Sequence, residues 1–137
     1  MPPETDPRRW LVKAETDLRS AQANLQPGFV LPAQSIWASQ QATEKAIKAV
    51  LLSLNIRFPF THDLNALAAL LPVEHRPPVA VADLAELAQT ATGLRYPSED
   101  ADPDLPAAER AHANATAVLG WARTVVLSQQ AGSSDRS

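Results

Sequence analysis

The sequence predicts an all-α protein that folds as an up-and-down antiparallel bundle of about five helices. Three observations lead to this fold class. Apolar residues recur every three to four positions through most of the 137 residues, which is the spacing of one helix face. The 12 prolines gather in clusters that separate these segments. No segment alternates apolar and polar residues as a half-buried strand does. Because the connections between segments are short, antiparallel neighbours are favoured.

The first two helices have the clearest patterns. Asp6 is a suitable N-cap for the first helix, and Pro7 fits its first position, where a missing backbone N–H costs nothing. The apolar face of this helix consists of Trp10, Ala14, Leu18, Ala21 and Leu25. The second helix is expected over residues 33–55. Gln40 interrupts its apolar face, which consists of Ile36, Thr43, Ile47, Val50 and Leu54.

Three further helices complete the predicted bundle. Thr61 can cap a short third helix, and residues 81–92 form a fourth helix that stops at Gly93. The last helix is expected over residues 105–127, with Asp102 or Asp104 as its cap. We therefore predict one domain over residues 6–128, followed by a disordered polar tail over residues 129–137.

The composition limits the classes of function. The chain has no cysteine, which removes disulfides, thiolate metal sites and cysteine nucleophiles. The net charge is −3, whereas a general nucleic-acid-binding domain is usually basic. The amino-terminal residues lack the apolar segment of a signal peptide, and no apolar stretch reaches the ~20 residues of a membrane span. We therefore expect a cytoplasmic protein that does not enter the membrane.

Polar residues form one stripe on the second helix. Gln41, Lys45 and Lys48 follow one another at spacings of four and three residues, and Glu44 can pair with Lys48 one turn further on. The stripe is consistent with a solvated helix surface that carries an ion pair. It is equally consistent with a polar groove between helices or between two chains. Trp37 lies on the same side, and a tryptophan in that position favours a covered groove.

The other candidate residues do not suggest a metal site. His62 is expected at the start of the third helix, where the helix dipole disfavours its protonation. No second histidine follows at helical spacing, so a structural role for His62 is the alternative to a functional one. The acids in residues 100–104 resemble the start of a calcium loop, but Leu105 and Ala111 occupy the positions that need glycine and glutamate. We expect neither a metal nor a cofactor.

Four segments of the chain occur in a characteristic order and spacing. They are WLVKAETDLRSAQANL, SQQATEKAIKAVLLSLNI, FTHDLNALAALL and ADLAELAQTATGLRYPSED. Together they resemble the HEPN domain, a small helical family of prokaryotes and eukaryotes that is named for nucleotide binding. The resemblance extends from about Trp10 to Val126, which is nearly the whole predicted domain.

The resemblance implies a helical bundle that is commonly a symmetric dimer. Many members are encoded beside a minimal nucleotidyltransferase and act as the toxin of such a toxin–antitoxin pair. Many are metal-independent RNases with an arginine and a histidine separated by four to six residues. Arg95 would be that arginine, but Asp100, Ala101 and Asp102 stand where the histidine is required. Tyr96 is close in sequence, but a tyrosine titrates near pH ~10 and cannot replace an imidazole as a base.

Three functional hypotheses follow. The first is a non-catalytic homodimer that binds a nucleotide or another anionic group and works with a minimal nucleotidyltransferase. The second is an RNase toxin in which Arg95 works with His62 or His112 as an unconventional base. The third is a structural interaction bundle in which the same residues are hydrogen-bond partners at the dimer interface. We favour the first hypothesis and expect little or no metal-independent RNase activity. Its binding groove would contain Gln41, Lys45, Lys48, His62, Arg95 and Tyr96.

Overall fold

The fold consists of five α-helices and one very short β-hairpin. The computed structural model describes residues 5–93 and 103–134. The five helices confirm the prediction of an all-α fold with about five helices. The helices are α1 (Pro7–Ala23), α2 (Pro32–Ser53), α3 (Leu64–Ala69), α4 (Val81–Gly93) and α5 (Leu105–Ser134), and the strands are β1 (Leu25–Gln26) and β2 (Phe29–Val30).

Helix α2 is the centre of the bundle. The other four helices all pack against it, and 14 of its 22 residues are buried. Small side chains make this crowding sterically feasible, because Ala42, Ala46 and Ala49 have no exposed surface and let neighbouring backbones approach closely. The small residues of α2 therefore serve the packing of helices within the chain.

The three long helices have defined relative directions. The hydroxyl of Ser35, near the start of α2, donates a hydrogen bond of 2.8 Å to the carbonyl of Ala21, near the end of α1. Helices α1 and α2 are therefore antiparallel. Arg123 of α5 pairs with Glu15 of α1 at 3.1 Å.

Two apolar clusters fix α5 alongside α2. The first cluster joins the carboxyl-terminal half of α2 to residues 118–125 of α5. The second cluster joins Ile36, near the start of α2, to Ala108 and Ala111 near the start of α5. The two helices therefore run in the same direction, and α3 and α4 contribute to the second cluster beside them.

The caps agree with the sequence except at α3. Asp6 accepts a hydrogen bond of 2.9 Å from the backbone N–H of Arg8, and Asp104 accepts one of 2.9 Å from that of Ala107. The predicted cap Thr61 is wrong, because Asp63 occupies the N-cap of α3 and accepts from two backbone N–H groups. The Thr61 hydroxyl instead accepts from the N–H of Asp63. The carboxylate lies closer to the free N–H groups of the first turn, which is the geometry that capping requires.

The small hairpin between α1 and α2 was not predicted as a pair of strands. Each strand has two residues, which is too short for an alternating pattern to be visible. Pro27 and Gly28 form the turn between the strands, and Gly28 has a φ of 83°. A proline followed by a residue with positive φ is the pattern of a type II turn, and glycine adopts that φ without steric cost.

Helix α2 ends in a cap that directs the following loop. Asn55 has a φ of 59°, and the backbone N–H of Ile56 donates to the carbonyl of Leu51 at 2.8 Å. The N–H of Asn55 donates to the carbonyl of Leu52 at 3.0 Å. These two hydrogen bonds form a Schellman motif, in which a residue in the left-handed conformation, here Asn55, ends the helix and changes the direction of the chain. Residues 57–62 form the loop that follows this cap, so the start of the loop has a fixed position.

Helix α5 is longer than the sequence suggested. It was expected to end at residue 127 but continues to Ser134, into the segment for which we predicted disorder. No proline lies between residues 128 and 134, and the single Gly132 costs only about 1 kcal/mol in a helix. Although α5 has 30 residues, neither it nor any other helix in the described ranges is both long and apolar enough to cross a membrane.

We predict that Ile47→Ala lowers the free energy of unfolding by about 2–5 kcal/mol. Ile47 is fully buried in the cluster that joins α1, α2 and α5, so truncation leaves a cavity there. Urea denaturation followed by circular dichroism measures the change. Val12→Ala is the control, because Val12 is 64% exposed and its truncation opens no cavity. A loss below about 1 kcal/mol for Ile47→Ala would contradict the assignment of this cluster as the core.

Candidate functional site

A buried carboxylate is the centre of the main polar cluster. The side chain of Glu44 is only 4% exposed. Its oxygens contact Nζ of Lys48 at 3.0 Å, Nδ1 of His62 at 3.0 Å and Nε2 of Gln40 at 3.4 Å. A buried carboxylate is stable only when such partners replace its lost hydration. Glu44 therefore joins two residues of α2 to the loop that precedes α3. We call these four residues the Glu44 cluster.

Two aromatic rings enclose the ammonium group of Lys48. This side chain is 7% exposed, and its Nζ lies 5.4 Å from the centroid of the Trp10 ring and 5.7 Å from that of Phe58. Both distances are in the range of a cation–π interaction. The ammonium group of Lys48 is thus paired with the carboxylate of Glu44 on one side, and aromatic rings cover other sides of it. Lys48 acts here as a structural cation.

His62 connects the buried cluster to the protein surface. Its side chain is 55% exposed although Nδ1 is bound to the buried Glu44. When the imidazole is neutral and Nδ1 carries the proton towards the carboxylate, Nε2 is the acceptor. Nε2 has no hydrogen-bond partner among the residues that the structure describes. The Glu44 cluster therefore holds one half of an imidazole and leaves the other half accessible.

The other predicted residues of the second helix take two different roles. Nε2 of Gln41 donates to Oε1 of Gln40 at 2.7 Å, so Gln41 joins the Glu44 cluster indirectly. Lys45 instead forms an ion pair with Asp17 of α1. The predicted pairing of Glu44 with Lys48 is present. The polar stripe is therefore a partly buried seam between helices.

Two of the predicted site residues, Arg95 and Tyr96, lie outside the described residues, as do most of the acids that follow them. His112, the second candidate base, lies near the junction of α1 and α5, where it shares a cavity with Gln22. Trp10, which contacts Lys48, is 12 residues from Gln22 on α1, a distance of about 18 Å along the helix axis. His112 is therefore remote from the Glu44 cluster.

Partial burial affects the titration of His112. Partial burial lowers the pKa of His112 below its usual value of 6.5, because the protonated ring loses hydration there. This shift favours the neutral ring, and the cavity around it is lined by Leu25 and Leu105 together with the polar Gln22 and Glu109. Its position suits a packing role.

The sequence did not indicate two members of this site. Glu44 was expected as the partner of Lys48, but Trp10 and Phe58 were not expected near it. The polar N–H of the indole could have indicated this position for Trp10, because tryptophan favours the boundary of a core over its centre. No group of three or more histidines, aspartates and glutamates within residues 5–93 and 103–134 has the geometry to hold a metal ion.

We predict that Glu44→Gln costs about 3–5 kcal/mol of stability, because it leaves the buried ammonium of Lys48 without a countercharge. The double variant Glu44→Gln/Lys48→Met should recover most of this loss, since it removes both charges. Denaturant unfolding of the single and double variants measures the coupling. Glu15→Gln is the control for a surface pair and should change stability by less than about 1 kcal/mol. Strictly additive costs would contradict the buried pairing.

Comparisons with known proteins place this bundle in a family. The HEPN domain matches the sequence over residues 7–125. The crystal structure of TT1696 from Thermus thermophilus is similar, with a TM-score of 0.65 and 25% identity over 87% of this chain and 97% of that chain. An archaeal HEPN homologue, ST0689, gives a TM-score of 0.62 and 23% identity over 88% and 98% of the respective chains. No curated protein matches. Because the match spans most of its length, the chain belongs to the HEPN domain family.

Proposed function

We propose that this HEPN-domain protein is a non-catalytic dimer that binds a nucleotide or another anionic group. In this proposal it acts with a minimal nucleotidyltransferase, as one half of a toxin–antitoxin-like pair. The observation that carries the binding role is the attachment of the accessible His62 to the buried Glu44, at 3.0 Å. The partnership rests on the family resemblance. A neighbouring gene for a nucleotidyltransferase would support it.

The geometry of His62 favours ligand binding. A side chain that already holds its bound orientation loses little conformational freedom when a ligand arrives. Glu44 holds the ring of His62 through Nδ1, and the helix cap of α2 fixes the start of the loop that carries it. Nε2 can therefore meet a hydroxyl, a phosphate or a base edge in a fixed direction.

The charges of the Glu44 cluster favour binding over cleavage. Metal-independent RNA cleavage needs a base for the 2′-hydroxyl and a cation for the phosphate. Lys48 is buried against Glu44, and Lys45 is paired with Asp17, so neither is a free cation. In the proposal, Arg95 and Tyr96 complete the groove, and Arg95 supplies the positive charge for the anionic group.

One observation favours the RNase hypothesis as a second candidate. The contact between Glu44 and His62 is the carboxylate–imidazole arrangement that orients a general base, in which the carboxylate stabilises the protonated ring. His62 could then remove the 2′-hydroxyl proton through Nε2, with Arg95 as the cation. This mechanism would replace the family histidine that is missing after Arg95.

We predict that the purified protein does not cleave a mixed-sequence RNA in EDTA but does bind nucleotides. Arg95→Ala and His62→Ala should each weaken nucleotide binding about tenfold or more, because each removes a hydrogen bond to a charged group. Isothermal titration calorimetry and gel electrophoresis of labelled RNA make the two measurements. His112→Gln is the control and should behave as the wild type, since His112 lies at the far end of α1.

Two other results would reject this proposal. Cleavage that both Arg95→Ala and His62→Ala abolish would establish the RNase hypothesis. Neither binding nor cleavage by the wild type would leave the structural interaction bundle as the function.

The proposed dimer has a candidate surface on α5. One side of this helix carries exposed residues at alternating spacings of four and three, which is the heptad pattern of helix pairing. Most of them are small or apolar, so two such helices could approach closely. An added Cβ at Gly120 would meet no atom within 4 Å, so this position is open in the single chain. The exposed set is Ala113, Ala117, Gly120, Thr124, Leu127 and Ala131.

We predict a homodimer that Gly120→Glu weakens at least tenfold. The new side chain does not clash within the chain and replaces a poor helix former, so the monomer should keep or gain stability. The added charge lies in the middle of the proposed interface. Analytical ultracentrifugation measures the dissociation constant. Gly132→Glu makes the same chemical change at the end of α5 and should have little effect. A wild-type monomer at micromolar concentration would contradict the dimer.

A further inference from the structure

Phe60 is an unusually exposed aromatic residue beside the candidate site. Its side chain is 96% exposed, the highest value among the large hydrophobic residues of the described chain. Two residues earlier, Phe58 is partly buried against the core and covers Lys48. Burial of an aromatic ring is a major source of stability, and Phe60 contributes none of it. The folding of the chain therefore does not account for a phenylalanine at this position.

The loop holds Phe60 next to His62. The two rings are arranged edge to face, with 5.7 Å between their centroids and an angle of 70° between their planes. Pro59 restricts the backbone before Phe60, and the hydrogen bond that His62 makes to the carboxylate of Glu44 limits movement of His62 after it. Both rings thus belong to one short segment that is anchored at its two ends.

A cation completes the set of groups on this loop. Arg57 is exposed and makes no ion pair with any residue in the described ranges. The loop therefore offers an open aromatic ring, an imidazole with an accessible nitrogen and a guanidinium within six residues. These three groups match the three parts of a nucleotide. The base can stack on the aromatic ring, and a sugar hydroxyl or a base edge can form a hydrogen bond with the imidazole. The phosphate can pair with the arginine.

We infer that Phe60 is the stacking platform for the base of a nucleotide whose sugar or base edge contacts His62. This inference rests on the proposed binding function and assigns its ligand class. Stacking accepts every base, since each has an aromatic face, but larger purine rings overlap the phenyl ring more fully. The site therefore prefers purine nucleotides to pyrimidine nucleotides and has little affinity for the sugar phosphate alone.

The test compares ligands with and without a base. Wild type and Phe60→Ala are titrated with AMP, UMP, ribose 5-phosphate and a six-nucleotide oligoadenylate. Phe60→Ala should weaken binding of AMP and of the oligoadenylate about 5- to 150-fold and leave ribose 5-phosphate unchanged. Phe60→Trp should retain or increase affinity for AMP. The relative affinities of AMP and the oligoadenylate then distinguish a free nucleotide from an RNA strand as the source of the base.

The controls separate this inference from the proposed function. Val73→Ala truncates another exposed apolar side chain, which is 83% exposed, and should bind AMP as the wild type does. Equal AMP affinity in Phe60→Ala and wild type, with loss in His62→Ala, would overturn the stacking inference alone. Absence of AMP binding by the wild type would overturn both. Dissociation of a dimer by Phe60→Ala would show that a second chain covers the ring, and would also overturn the inference.

Discussion

The positions of α1 and of the loop after α2 depend on an ion pair inside a helix that is buried on most sides. A helix in the centre of a bundle is usually hydrophobic around its entire circumference. Helix α2 instead places Gln40, Glu44 and Lys48 one above another at intervals of four residues. Removing these charges from water is unfavourable unless each has partners. Trp10 of α1 and Phe58 and His62 of the following loop supply them, so the cluster dictates where both segments lie.

The same cluster divides the candidate site into two parts with different properties. The inner part of the site, Glu44 and Lys48, has almost no exposed surface and stabilises the fold. Its outer part, His62 and the neighbouring Phe60, is exposed and free to meet a ligand. The link between them is a hydrogen bond between a buried carboxylate and an exposed ring. A ligand at the outer part would therefore contact a group whose position the core determines.

Most of the fold could be predicted from the sequence, because its signals are local. Helical periodicity gave the helices, and the caps Asp6 and Asp104 act within three residues of their own positions. The Glu44–Lys48 pair follows from a spacing of four residues. The contacts of Lys48 with Trp10 and Phe58 could not be predicted, since they depend on how α1 and the loop pack in three dimensions. The end of α5 was misplaced because a polar composition alone does not break a helix.

The buried pairing also has an evolutionary consequence. A single substitution that removes the charge of Glu44 or of Lys48 leaves its partner isolated away from water, which is more harmful than the loss of both. Such intermediates should be selected against, so the two positions should change together or not at all during divergence. Homologues that carry an uncharged residue at one position should carry one at the other. In those homologues the loop histidine loses its carboxylate anchor, and the requirement for an aromatic cover over the lysine disappears with it.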